Sequence, residues 1–242
     1  MRTDLPPISE IWVYLSGSPL LALVLTLSAY LLGLTLYERS ERNPLANPVL
    51  IAVILVTLSI HMLDMPYVKY FEGAQFVHFL LGTATVSLAI PIYKGFASLK
   101  GRMVILMISL LAGGVTSVLT AIGIARWLGV DEALVRGLVA KSVTAPIAMG
   151  IAERAQASPT LTAIFAVSTG ILGAVLGRYV LDILRITAWW QRGFALGVAA
   201  HGIGTSRAFS VHPEAGTYAS LGMGLHGILG AMLIPYAVSF WF

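Results

Sequence analysis

The chain has 242 residues, 57% of them hydrophobic and only 11% charged, with a net charge of +4 and no cysteine. Ordinary soluble domains carry roughly 25% charged residues, so a soluble globular class is a poor fit. So small a charge, spread along loops, leaves no nucleic-acid footprint, and the lack of cysteine excludes disulfides, thiolate metal sites and a cysteine nucleophile.

Six stretches contain no Asp, Glu, Lys or Arg: 11–37, 43–63, 73–93, 103–125, 155–177 and 215–242. A spanning helix needs about 20 such residues. One or two runs of this kind fit inside a soluble core, but six do not. The expectation is an all-α integral membrane protein, a polytopic helical bundle forming a single domain over 1–242.

Taken in order, the first run is expected to be a retained helix, because Asp4 and Glu10 spoil the basic flank of a signal peptide. Arg39 and Arg42 follow it, and "NPV" at Asn47 places proline at a first helical position. The next loop offsets Lys69 with Asp64 and Glu72, and the one after holds Lys94, Lys100 and Arg102, read as solvated. With the N-terminus outside, the basic loops fall inside, as the positive-inside rule asks. "SPT" at Ser158 and "HPE" at His212 repeat the proline start, the second with an acid in the first turn.

Two polar knots interrupt the apolar segments. "VRGLVAKSVTAPIAM" begins at Val135 and "QRGFALGVAAHGIGT" at Gln191. Both contain Arg-Gly, continue with small apolar residues, break at a polar cluster, and are followed by a glycine-studded apolar helix. This is a weak internal repeat. Two architectures satisfy it. Each knot is the tip of a re-entrant hairpin, so that successive units are inverted and the tips approach near the midplane, a recurrent transporter plan. Alternatively, 133–151 and 193–208 each span as kinked helices, which gives about eight crossings instead of six.

Broken helices survive in lipid only inside protein or beside a watery cavity. Thr144 is expected to cap a half-helix starting at Pro146, and Thr205 or Ser206 another after Gly202 and Gly204. Free N–H groups at such ends attract anions. Lys141 lies before one break and Arg207 just after the other. The candidate carboxylate site is therefore Lys141, Ser142, Thr144, Pro146, His201, Gly202, Gly204, Thr205, Ser206 and Arg207. His201 is a candidate proton carrier, while His61, His78 and His226 are read as packing residues.

Gly222, Gly224 and Gly227 match G-x-G-x-x-G only formally, with no preceding strand. Gly173 and Gly177 form G-x-x-x-G, read as a packing face. No Walker A motif, H-E-x-x-H or recognisable triad is present, and the acids sit near segment ends. The pattern points to no enzyme, no cofactor and no metal site, and it disfavours a cation antiporter built on paired aspartates.

"KSVTAPIAMGIAE", "SPTLTAIFAVSTGILGAVLG" and "RGFALGVAAHGIGTSRAF" closely resemble the LrgB/CidB family of bacterial membrane proteins. The match covers most of the chain and is strongest over 136–229. The resemblance implies a multi-pass protein of the bacterial inner membrane with six or seven helices. It also implies a separate small LrgA/CidA-type membrane partner. Two roles are attached to the family: antiholin-like regulation of murein hydrolase release, and, through the related plastid glycolate/glycerate translocator and bacterial proteins linked to pyruvate movement, transport of small monocarboxylates. The glycine faces add the expectation of a homo-oligomer. Residues and resemblance together favour transport or channelling of a small carboxylate, with the regulatory role as the alternative.

Overall fold

The computed structural model describes residues 19–87, 90, 93 and 101–242. Lys94, Lys100 and most of the first turns of the 11–37 run lie outside these, as does the side chain of His78. All the regular secondary structure among the described residues is helical, in two compact units divided between Ala84 and Thr85.

The first unit holds α1 (Pro19–Arg39), a one-turn 3-10 helix at Pro44–Ala46, α2 (Pro48–Met62) and α3 (Tyr67–Ser87). Asn47 caps α2 as its proline signal predicts, its Oδ1 accepting from the N–H groups of Val49 and Leu50. Gly33 of α1 faces the Pro48 carbonyl so closely that a Cβ there would collide with it.

The second unit holds α4 (Met103–Trp127), α5 (Glu132–Leu138), α6 (Ala145–Arg154), α7 (Pro159–Ile183), α8 (Trp189–Val211) and α9 (Pro213–Trp241). Ser158 and His212 cap α7 and α9, each with proline in the first turn. Among the described residues, α1, α4, α7 and α9 are long and apolar enough to cross a membrane. By contrast α5 and α6 have 7 and 10 residues. At 1.5 Å per residue they stretch about 10 and 15 Å, so neither passes the middle of a ~30 Å hydrocarbon layer.

The contacts show where these short helices go. At the first end of the unit, Arg126 near the close of α4 pairs with Glu132 of α5 at 2.8 Å and donates to the Trp241 carbonyl at the close of α9. Gly137, at the end of α5, faces Thr162 and Phe165 in the opening turns of α7. The chain thus enters through α5, turns over 139–144 and leaves through α6 at the end where it entered.

The second knot does the same from the opposite end. Straight, the 23 residues of α8 would stretch about 35 Å. Instead the rings of Trp189 and His212, at its two ends, stack at 4.9 Å and 6°. The reversal occurs at His201, whose φ of 40° and ψ of −131° are non-helical. It divides α8 into an inbound arm, 189–200, and an outbound arm, 202–211. A Cβ on Gly204 would lie 2.7 Å from the Leu196 carbonyl, although eight residues of straight helix separate their positions by about 12 Å.

Long helices then carry each hairpin to the other end. Gly173 and Gly177 of α7 receive Ala200 and Leu196, which makes the predicted G-x-x-x-G a packing face for the inbound arm. Gly193 and Gly197 of that arm meet the backbone of Ala215 and Ala219 on α9. The two segments run in the same direction at a separation only glycine permits. Hairpin plus α7 and hairpin plus α9 are therefore inverted copies, and among the described residues of this unit α4, α7 and α9 are the crossings. The fully spanning alternative for 133–151 and 193–208 is not the one adopted.

One apolar cluster joins the first hairpin to α7 and α9 through Val135, Val143, Ala148, Ala166 and Ile234. Another joins the second hairpin to α4 and α9 through Leu106, Leu110, Phe194, Val198 and Leu221. Outward residues such as Leu172, Ile228 and Met232 remain exposed, as lipid-facing surfaces do. Arg102 departs from its expected place in a solvated loop: it donates to the Tyr218 hydroxyl at 2.9 Å and lies over the Trp190 ring.

Candidate functional site

The first tip is polar and buried. Lys141 is half-buried, and its Nζ donates to Ser117 Oγ of α4 at 2.9 Å. Ser117 lies ten residues inside the end of α4, about 15 Å deep by helical rise. No acid among the described residues pairs with Lys141. Ser142 is 2% exposed and shares a 3.0 Å hydrogen bond with His226 Nε2 of α9. Thr144 takes the N-cap position of α6, and Pro146 falls in the first turn, where its missing N–H is tolerated. The Thr144 hydroxyl, however, makes no cap bond. The first turn of α6 is left uncapped by its own side chains, with its N–H dipoles directed at the tip.

The second tip is held more tightly. His201 is buried, and its Nε2–H donates to the Ala166 carbonyl of α7 at 2.7 Å. Its ring sits against Gly170, where a Cβ would come within 2.6 Å of Cε1. A histidine at positive φ is an uncommon conformation, and this bond and this niche hold it there. Gly202 follows the turn, half-buried, and Gly204 is buried against Ala200 and Leu196. Thr205 and Ser206 do not cap the outbound arm as expected, because that arm begins directly after His201. Thr205 is buried and donates to the His201 carbonyl at 2.8 Å, while Ser206 is exposed.

Both tips rest on one stretch of α9. Ser142 touches His226, and Thr205 lies 3.9 Å from the sulfur of Met223. Those α9 residues are three apart and share a helix face. The two sequence knots thus converge, sixty residues apart in the chain, as the repeat predicted.

Arg207 is placed elsewhere. It lies five residues past Gly202 on the outbound arm, about 7.5 Å back toward the second end by helical rise. There it lines a cleft of about 340 Å³ with Arg178, Asp182, Trp189 and Arg192, and no residue of the first hairpin lines that cleft. The expected pairing of Lys141 and Arg207 around one carboxylate is not what the geometry assembles.

Three residues join the site beyond the predicted ones, among them His226, which was expected only to pack. His226 and Ser117 are partners of the first tip. Thr162 of α7 is 1% exposed, and its hydroxyl has no hydrogen-bond partner among the described residues. His226 stands in an apolar run, whereas Ser117 follows Thr116 and Thr162 follows Ser158 and Thr160; only the long-range packing shows what each faces. An apolar crevice of about 160 Å³ between α4 and α9 reaches His226 from the side.

Comparison with known proteins agrees in extent. The model of the LrgB-like family matches residues 26–240. The uncharacterized protein YwbG of Bacillus subtilis (strain 168) is 34% identical over 91% of this chain and 98% of its own length. The uncharacterized protein YxaC of the same strain is 32% identical over 90% and 95%. The holin-like protein CidB of Staphylococcus epidermidis (strain ATCC 12228) is 27% identical over 90% and 95%. No solved structure matches.

Proposed function

The chain belongs to the LrgB-like family of multi-pass membrane proteins, and from that premise we propose that it moves small monocarboxylates of the pyruvate, lactate, glycolate and glycerate class across the bilayer. The observation that carries the reading is the pair of inverted hairpins whose tips converge on His226 and Met223 of α9. One of them bears a half-buried lysine bonded to a serine, with no acid partner among the described residues.

An anion leaving water must be met by cations or donors, since an unpaired buried charge is very costly. In this reading Lys141 supplies the charge, and the uncapped first turn of α6, after Thr144 and Pro146, supplies backbone dipoles. Ser142, Ser117 and His226 offer hydroxyl and imidazole contacts to keto or hydroxyl oxygens. Gly202 and Gly204 let the backbone of the second tip approach the substrate, and His201 and Thr205 fix that tip's shape. Alternating access then amounts to movement of one hairpin-and-helix unit against its inverted copy. Arg207 and Ser206 belong to the route rather than to the central site. No chemical step is required of any residue, and no cofactor.

A second reading, antiholin-like regulation of murein hydrolase export acting through a small LrgA/CidA-type partner and a homo-oligomer, is supported by the name holin-like protein carried by CidB. A purely structural assembly has no need of a lysine without an acid partner, among the described residues, at a helix break. Equilibrium binding of labelled pyruvate and glycolate to the purified protein separates the two. Lys141→Ala should weaken affinity about ten- to hundredfold, the worth of a charge-assisted bond of roughly 1.5–3 kcal/mol. Arg154→Ala, at an exposed arginine, should leave it unchanged. Wild-type affinity in Lys141→Ala would remove the carboxylate site and put the regulatory reading first.

A further inference from the structure

We infer that the crevice between α4 and α9 receives the alkyl chain of the transported acid, so that the protein prefers monocarboxylates with a short apolar tail over hydroxylated ones. The carboxylate end of this assignment rests on the transport reading; the tail pocket goes beyond it. The crevice holds about 160 Å³, and apart from His226 and Trp241 its lining is aliphatic or glycine. Pockets for drug-sized ligands start at about 300 Å³, so this one suits a short chain. Its lining on α9 runs from His226 to Trp241, which puts His226 at the deep end and Trp241 where α9 closes. At Gly114 a Cβ would lie 3.1 Å from His226 Cε1, so the imidazole closes the deep end against a bare stretch of α4.

The deep end adjoins the polar tip. His226 Nε2 shares its hydrogen bond with Ser142, the chain neighbour of Lys141. On α4, Ser117 directly precedes Val118 and shares a helix face with Gly114, and both of those residues line the crevice. Lys141 Nζ donates to that serine at 2.9 Å. One end therefore offers an ammonium group, hydroxyls and an imidazole, and the rest offers hydrocarbon. That is the complement of an acid with an apolar tail. A methylene on these walls gains by leaving water, whereas a hydroxyl there finds no partner, and burying it unpaired is unfavourable. The outer edge opens to lipid at the exposed Leu111, Val115, Leu119 and Leu233. A lipid chain seated in the crevice would cover the hydrocarbon but leave the ammonium group unmet, while a tailed carboxylate meets both ends at once.

Labelled pyruvate and α-ketoisocaproate are bound at equilibrium to the full chain in phosphatidylcholine nanodiscs, with empty nanodiscs subtracted, and displaced by unlabelled acids. Affinity should rise about two- to fourfold per methylene from pyruvate through α-ketobutyrate to α-ketovalerate, the worth of a CH2 moved from water onto apolar walls. Glycerate should bind more weakly than lactate. Val118→Phe and Ala237→Leu, which fill the crevice from α4 and from α9, should each flatten the rise and leave pyruvate affinity unchanged. Ile108→Phe, at an exposed α4 position outside the crevice, should keep the rise. Each variant is first required to elute as a monodisperse peak. Lys141→Ala should weaken every acid alike, and the uncharged methyl ester of α-ketoisocaproate should not compete. Affinity that is flat or falls with chain length while pyruvate still binds would overturn the tail pocket and leave the carboxylate site standing. A rise that persists in both filled variants would also overturn it. Competition by the ester as strong as by the acid would give the crevice to lipid chains and overturn the assignment. Tailed acids that bind Lys141→Ala as they bind the native chain, yet lose affinity in the filled variants, would keep the tail pocket and withdraw the lysine site of the transport reading alone.

Discussion

Replacing His201 by glycine should harm the protein less than replacing it by alanine. The residue sits at φ 40° and ψ −131°, a region that costs a side-chain-bearing residue about 1–3 kcal/mol and glycine almost nothing. Two contacts offset that cost in the native chain: the 2.7 Å bond from Nε2–H to the Ala166 carbonyl, and the ring's fit against Gly170. Both substitutions lose the bond, worth about 1 kcal/mol net, and both leave nearly the same void. They differ in the backbone alone. Glycine should therefore be the more stable by about 1–3 kcal/mol, roughly five- to 150-fold in the unfolding equilibrium. In an unbroken helix the order is the reverse, with glycine worse by about 1 kcal/mol. Ala199→Gly, at an exposed position on the inbound arm, supplies that ordinary sign as an internal control. Reversible unfolding in mixed micelles, followed by tryptophan fluorescence, measures all three. Alanine as stable as glycine at position 201 would mean that the chain does not reverse there, and the hairpin would fall with it.

Further outcomes follow from the same geometry. Gly170→Ala sets a methyl 2.6 Å from His201 Cε1 and should cost about 1–3 kcal/mol as overpacking, whereas Gly150→Ala, with open space around it, should be neutral in the same unfolding assay. Spin labels at Ser142→Cys and Thr205→Cys should show strong dipolar broadening, because both positions rest on α9 three residues apart; narrow lines would separate the tips. An imposed proton gradient should change the initial rate of pyruvate uptake, since the titratable groups at the tips are His201, His226 and Lys141 with no acid among their contacts; a rate indifferent to pH but dependent on sodium would transfer coupling to backbone carbonyls at the breaks.

Much of this architecture was legible in the sequence because it rests on local chemistry. Four of the six uncharged runs marked helices that can cross, while 43–63 holds only the 15-residue α2 and 73–93 gives no such helix among the described residues; Asn47, Ser158 and His212 before proline marked helix starts that the structure keeps. Thr144 marked the break in the first hairpin. The choice between hairpin and kinked span was not legible, because the second reversal hangs on one positive-φ residue that is a histidine rather than a glycine. Its stability comes from Ala166 and Gly170, more than thirty residues away in the chain. The misplacement of Arg207 has a similar origin. Matching the knots by composition put it beside Lys141, but the outbound arm starts at Gly202, and five residues of helix carry Arg207 away from the tip. His226 is a single polar residue in an apolar run and Ser117 one of several hydroxyls along α4 with Thr116 and Thr120, and nothing local distinguishes a packing residue from a partner of Ser142 or Lys141.

Uptake of labelled pyruvate and glycolate into proteoliposomes, with and without the small LrgA/CidA-type protein, tests the transport reading most directly. The account predicts saturable uptake that unlabelled carboxylates of the same class compete away. It predicts near-complete loss in Lys141→Ala at unchanged reconstitution, and normal uptake in Arg154→Ala. Uptake no greater than in protein-free vesicles, in both the presence and the absence of the partner, would contradict it.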